Sequence, residues 1–285
     1  ALSFNGNAVD LTVNADYQVG ETPGIQWFPF DTDYVNFINE QVITPPKTEY
    51  DEFYRRILGT NTIILRSKVP QNYDEKESLS VMNASMYFMD TFKKYMQDGG
   101  ITLGGRIIID DQKQSYSSDD YTLLSMHESV PLQELLKQIN KKSSNFYTEM
   151  LLKTAAAEQY DTQGSTELGI ALVKDFAYSM DMDTTKIEFT DGSGMGSSTL
   201  ITVEELSKLM VEMQERPYFN AFKRSFSLSG IDGSLQHRFK NTPLYRKIYG
   251  KTGYVSGVRA LSGYMSAASG RSLIFSIITN HYTEK

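Results

Sequence analysis

The sequence contains no cysteine. Disulfides, zinc–thiolate centres and thiol nucleophiles are therefore excluded together, and the redox compartment is left open. Histidine is almost as scarce: His127, His237 and His281 stand far apart without H-E-x-x-H spacing, so structural or surface roles and no metal centre are expected. Proline occurs only eight times in 285 residues, and with 40% apolar and 22% charged residues the chain is neither disordered nor of low complexity. Apolar runs such as Leu273-Ile274-Phe275 fall far short of the ~18–20 residues that cross a bilayer, so no transmembrane helix is expected. Basic residues are outnumbered, and a net charge of -7 argues against a general phosphate-binding surface and against nucleic acid as a partner.

Familiar catalytic signatures are missing as well. Gly250-Lys251-Thr252 looks like the end of a P-loop, but Tyr245 stands where its first glycine belongs, so no phosphate cradle of backbone N–H groups is expected. No G-x-S-x-G is present, which excludes the nucleophile elbow of an α/β-hydrolase. The chain opens on Ala1-Leu2-Ser3-Phe4, with neither a start methionine nor a basic and then apolar leader. The expectation is a removed leader or a fragment of something longer.

What is there divides into two textures. Residues 1–78 read as β-rich and irregular: Val9, Leu11 and Val13 alternate with Asp10 and Thr12, the period of a half-buried strand. Thr62 to Leu65 is a second strand, and Asp33 to Val42 and Tyr50 to Leu58 have the spacing of short helices. The polar run Gln71 to Ser78 reads as a linker. Residues 79–285 are helical first. Leu79, Met82, Met86, Met89, Phe92 and Met96 share a helix face read as core packing. Further helices are predicted after Pro131, from Ser144 to Ala157, after Ser165 with Leu168, Leu172, Phe176 and Met180 inward, and after the capping box Thr202 to Glu205. Three strands close the chain, Tyr249 to Val255, Gly257 to Met265 and Ser272 to Thr279, with a turn at Ala268 to Arg271. The predicted class is α+β, an antiparallel sheet flanked by helices behind a smaller β-rich module.

An ordered set of short motifs survives this screen. Ser143-Ser144-Asn145 lies at a helix junction, Asp191-Gly192-Ser193-Gly194 in a turn, and Lys251-Thr252-Gly253 on a strand. Each has an ordinary reading. Serine is a preferred helix N-cap, Asp-Gly is a turn signal, and lysine is common on solvated strand edges. The same turn reading is preferred for Asp232-Gly233.

Order and context favour chemistry. Pro131 to Leu136 leads to Lys141-Lys142-Ser143-Ser144-Asn145 and Thr148-Glu149-Met150-Leu151, and then to Asp191 to Met195, Leu228 to Leu235 and Gly250 to Gly253. This arrangement resembles the D-alanyl-D-alanine carboxypeptidase family of penicillin-recognising serine enzymes, to which penicillin-binding protein 4 belongs. The resemblance covers Leu79 to the C-terminus, and more weakly Ala1 to Val13, which looks like part of the domains inserted in the family's catalytic domain.

The resemblance implies a penicillin-recognising fold and a serine-type peptidase that acts on peptidoglycan stem peptides through an acyl-enzyme, without metal or cofactor, in the periplasm or cell envelope. Ser143 would relay a proton to the leaving D-alanine, and Asn145 would hydrogen-bond the substrate amide. Lys251 and Thr252 would receive the terminal carboxylate, a pairing of cation and hydroxyl suited to that group. Gly253 would let the peptide lie against the strand, the Tyr254 N–H would serve the oxyanion, and Asp191, Gly192, Ser193 and Gly194 would shape the pocket. One departure is severe: no serine in the sequence is followed three residues later by lysine, so the family's S-x-x-K nucleophile is missing. The 285 residues alone are therefore expected to be inactive, and to self-associate or retain a severed N-terminal piece. Rival readings are a β-lactamase or esterase of the same fold, or a non-catalytic envelope-binding protein.

Overall fold

The computed structural model describes residues 2–29, 32–110 and 122–281. The chain forms two compact units, Ala1–Thr122 and Leu123–Lys285.

The first unit contains β1 (Ala8–Asn14), β2 (Gly24–Phe28), β3 (Asn36–Asn39), β4 (Val42–Thr44), β5 (Tyr54–Arg56), β6 (Thr62–Leu65), β7 (Lys68–Pro70), β8 (Asp74–Ser80) and α1 (Ala84–Asp98). Its sheets run β2-β1-β8, β3-β6-β5 and β4-β7. Val9, Leu11 and Val13 are fully buried, as their alternation predicts, and pack with Leu65, Val69 and Tyr87. The expected linker is instead β8, paired antiparallel with β1 from Ala8↔Ser80 to Asn14↔Asp74. Its polar side chains hid a strand whose stability comes from the ladder and not from its own apolar face. The two expected short helices are also replaced by strands, β3 and β5. Tyr50 and Tyr54 mimic a helical i,i+4 pair, yet their hydroxyls meet at 2.8 Å in extended chain.

Helix α1 begins later than expected because Leu79 belongs to β8 and Asn83 caps the helix, accepting from the Met86 N–H at 3.2 Å. Its buried ridge is Tyr87 and Thr91, whereas Met82 and Phe92 are each 44% exposed. The Tyr87 hydroxyl, donating to the Ala8 carbonyl at 2.9 Å inside the core, sets that rotation. The same contact ties α1 to β1, and the first compact unit runs to Thr122.

The second unit contains α2 (Leu132–Lys142), α3 (Asn145–Tyr160), α4 (Thr166–Tyr178), β9 (Ile187–Glu188), β10 (Leu200–Ile201), α5 (Val203–Gln214), α6 (Phe219–Ser225), β11 (Ser227–Leu228), β12 (Ile248–Val255), β13 (Val258–Ser266) and β14 (Ser272–Asn280). The sheet order is β11-β12-β13-β14, antiparallel throughout. The final strands match their predicted spans to within a residue or two. At the last turn Gly270 takes φ +83°, as a tight hairpin requires. Helix α4 turns Gly169 and Ala177 inward and leaves Phe176 41% exposed. A Cβ at Gly169 would fall 2.4 Å from Leu152 Cγ, so the close approach of α3 selects a small residue there. The expected capping box is half realised. Thr202 accepts from the Glu205 N–H, but the buried Glu205 carboxylate accepts from the Asp183 N–H at 2.9 Å.

Candidate active site

Helices α2 and α3 are joined by Ser143 and Ser144 alone. Ser144 is the N-cap of α3, accepting from the Tyr147 N–H at 3.4 Å, so the capping role considered for Ser143 belongs to its neighbour. Ser143 terminates α2 in the left-handed region (φ +55°, ψ +47°), which a residue with a Cβ occupies at a cost. The strained backbone breaks the helix and leaves the Ser143 side chain free of capping.

Lys251 comes to it from the sheet. It lies two residues from Tyr249 and so on the same face of β12, the face where the Lys223 ammonium of α6 stands 5.2 Å from the Tyr249 ring. The Lys251 Nζ donates to Ser143 Oγ at 2.9 Å and to the Thr252 carbonyl at 2.5 Å. Desolvation at this half-buried position lowers its pKa from the ordinary lysine value. Opposite Lys251 on β13 is Ser262, and Ser276 follows on β14. Their hydroxyls satisfy each other at 2.8 Å, so this row of the sheet stays low beside the ammonium. Thr252 Oγ1 donates to Ser234 Oγ at 2.8 Å.

Ser143, Lys251 and Thr252 are thus brought together. Asn145, the first residue of α3, is exposed two positions from Ser143 and makes no hydrogen bond to Lys251 among the described residues. Gly253 is exposed on β12, where a Cβ would meet Ala260 Cβ at 3.3 Å. Tyr254 is 56% exposed, with the Arg259 guanidinium 4.8 Å from its ring centre.

Asp191 to Gly194 form a separate, tightly bonded turn. The Asp191 carboxylate accepts from the Gly194 and Gly196 N–H groups at 2.5 and 2.6 Å and from the Ser193 hydroxyl at 3.2 Å. Burial acts to raise its pKa, but these donors prevail and hold it below the usual carboxylate value. Glu149 of α3 accepts from the Gly192 and Ser193 N–H groups, each at 2.9 Å. Asp191 and Gly192 line an apolar cavity of about 290 Å³ with Thr148, Leu152, Ile170 and Phe189. No hydrogen bond joins this turn to Ser143 or Lys251 among the described residues.

The sequence indicates no role in the site for Glu149, Lys141 or Ser234, although Lys141 and Lys142 close α2 as basic residues favoured at a helix C-terminus. The turn at Asp232-Gly233 was legible, but nothing in its composition indicates that the next hydroxyl meets Thr252.

The chain matches the D-Ala-D-Ala carboxypeptidase 3 (S13) family over residues 1–285. It is 26% identical over 278 residues to the D-alanyl-D-alanine carboxypeptidase of Actinomadura sp. (strain R39), covering 93% of this chain and 51% of that protein. It is 26% identical over 208 residues to D-alanyl-D-alanine carboxypeptidase DacB of Haemophilus influenzae, covering 72% of this chain and 42% of that protein. The chain therefore spans about half the length of the curated relatives it matches. Among solved structures it resembles penicillin-binding protein 4 from H. influenzae with a TM-score of 0.81 at 22% identity, over 99% of this chain and 62% of that one. The same protein complexed with a β-lactam gives 0.77 at 22% identity, over 100% and 65%. These likenesses establish the penicillin-recognising α+β fold.

Proposed function

The chain belongs to the D-Ala-D-Ala carboxypeptidase S13 family, and from that premise we propose that Ser143, Asn145, Lys251 and Thr252 form the substrate-facing part of a serine-type D-Ala-D-Ala peptidase site. The substrate is a peptidoglycan stem peptide and the location the periplasm or cell envelope. No described helix is long and apolar enough to cross a membrane. The attacking hydroxyl in this reading is supplied by an S-x-x-K segment of the family's type.

The observation that carries the reading is the hydrogen bond from Lys251 Nζ to Ser143 Oγ. Amide hydrolysis through an acyl-enzyme needs a proton delivered to the departing amine as the C–N bond breaks. The lysine of the S-x-x-K segment takes the proton of the attacking serine, and Ser143 relays it to the nitrogen of the leaving D-alanine, giving up its own proton as it accepts one, while Lys251 holds its oxygen in place. The leaving residue bears the carboxylate, and the same ammonium with the Thr252 hydroxyl suits that group. Asn145 binds the substrate amide, Gly253 gives the peptide room along β12, and the Tyr254 N–H is one oxyanion donor. The Asp191 to Gly194 turn shapes the pocket wall. Residues 1–78 belong to the family's inserted region.

β-Lactams are further ligands on this reading, since their carboxylate makes the same demand. A second copy of the chain is a further partner, supported by the outer edge of β14, which pairs with no other strand among the described residues and whose nine residues carry no charge.

The test is release of D-alanine from a D-Ala-D-Ala-terminated peptide by this sequence together with a segment bearing S-x-x-K. Ser143→Ala should lower kcat at least about 100-fold, the usual scale of a lost proton relay. Undiminished turnover contradicts the reading.

A further inference from the structure

The contact between Ser143 and Lys251 is one link of a closed ring. From Lys251 the chain passes to Thr252, which donates to Ser234 Oγ at 2.8 Å. Two residues before Ser234, Asp232 pairs with Lys141 Nζ at 2.5 Å. Lys141 stands two residues before Ser143 at the end of α2. The short turn Asp232-Gly233-Ser234 therefore ties the helix end that carries Ser143 to the strand that carries Thr252.

The turn is fixed from behind. Asp232 Oδ1 accepts from the Leu228 N–H at 2.8 Å. Gly233 takes φ +56°, and a Cβ there would fall 2.3 Å from Ser227 Oγ and 2.9 Å from the Lys141 carbonyl oxygen. Ser227 is fully buried, accepts from the Ser234 N–H at 3.1 Å, and places its hydroxyl 3.3 Å from that of Ser234. The remaining direction open to the Ser234 hydroxyl leads to Thr252.

We propose that Ser234 is a positioning residue for the carboxylate end of the site. It fixes the Thr252 hydroxyl and, when a bound carboxylate takes the Thr252 proton as a hydrogen bond, it rotates to donate to Thr252 Oγ1. A hydroxyl that accepts one hydrogen bond is a better donor of the next, so Ser227, Ser234 and Thr252 act as a row directed at the anion. This rests on the reading that Lys251 and Thr252 receive a carboxylate.

Titration calorimetry of the 285-residue chain with a peptide ending in D-Ala-D-Ala, and with the same peptide as its C-terminal amide, isolates the carboxylate's share of affinity. Ser234→Ala should weaken binding of the acid about five-fold, the scale of one ordinary hydrogen bond, and leave the amide within about two-fold. Ser234 is exposed, leaving room for a methyl group, so Ser234→Thr should restore acid binding. The three-bond coupling between Thr252 N and Cγ2 reads the same contact without ligand: one rotamer in the unaltered chain, averaging in Ser234→Ala. An acid preference and a Thr252 rotamer both untouched by Ser234→Ala overturn the inference. Equal affinity of the unaltered chain for acid and amide, or none for either, contradicts the carboxylate reading, and the Thr252 coupling then decides whether Ser234 fixes that hydroxyl.

Discussion

Lys251 and Ser143, 108 positions apart in sequence, are joined by a hydrogen bond of 2.9 Å between the middle of a strand and the end of a helix. The lysine is desolvated enough for its pKa to fall, and the serine is held in a backbone conformation that costs energy. A site that works against stability at both ends is the usual mark of function.

Lys251 sets the pH dependence. On the proposed function its charged form binds the substrate carboxylate, so affinity for a D-Ala-D-Ala peptide should be flat around neutral pH, where that carboxylate is ionised, and fall as pH rises through the Lys251 pKa, below the ordinary lysine value. Stability should move the other way. A lowered lysine pKa means that the unfolded chain binds more protons between the folded and unfolded values, so stability should rise with pH across that window. Titration of the Lys251 side-chain NMR signals beside the affinity profile checks both, and an affinity that persists until an unperturbed lysine deprotonates contradicts the assignment.

Gly233→Ala should disrupt the turn between α2 and β12. The left-handed φ and the overlap with Ser227 and the Lys141 carbonyl both oppose a methyl group. A cost of about 1–3 kcal/mol is expected from the strained backbone, read as a lower urea midpoint, with weaker binding of the carboxylate peptide. An unchanged midpoint contradicts the packing.

Asp191→Ala removes the acceptor that closes its turn and should cost about 1.5–3 kcal/mol, the range for hydrogen bonds to a charged group. In the unaltered protein this contribution is full above the pKa of a free aspartate and is lost as pH falls through the lowered folded value. Chemical denaturation at neutral and acid pH checks both. A deficit in the variant that persists undiminished at acid pH contradicts the carboxylate's role.

The uncharged edge of β14 should pair with a second copy of the chain. Ile277 is 57% exposed on that strand. Light scattering should report a dimer or larger species that Ile277→Lys disperses, because a charged edge residue opposes strand pairing. A monodisperse monomer of the unaltered chain contradicts this.

The closing hairpins were legible because β-branched runs end at glycine and serine, and the helices because Ser144, Ser165 and Thr202 cap them. Local chemistry dictated those elements. It failed for β8, whose polar residues form a strand only because β1 is there to pair with it. It failed again at Tyr50 to Leu58, where tertiary contacts outweigh helical spacing. At the site, the motif residues Ser143, Lys251 and Thr252 were readable as types in order. Ser144 rather than Ser143 as the cap, and Ser234 as the partner of Thr252, depend on how the chain returns on itself.

On the proposed function Ser143 relays a proton and the nucleophile is the serine of an S-x-x-K motif, which these 285 residues do not contain. Intact-mass measurement of the chain after incubation with excess penicillin distinguishes the two serines. No covalent adduct is expected. A stoichiometric mass increase located on Ser143 would make that serine the attacking group and contradict its role as a relay.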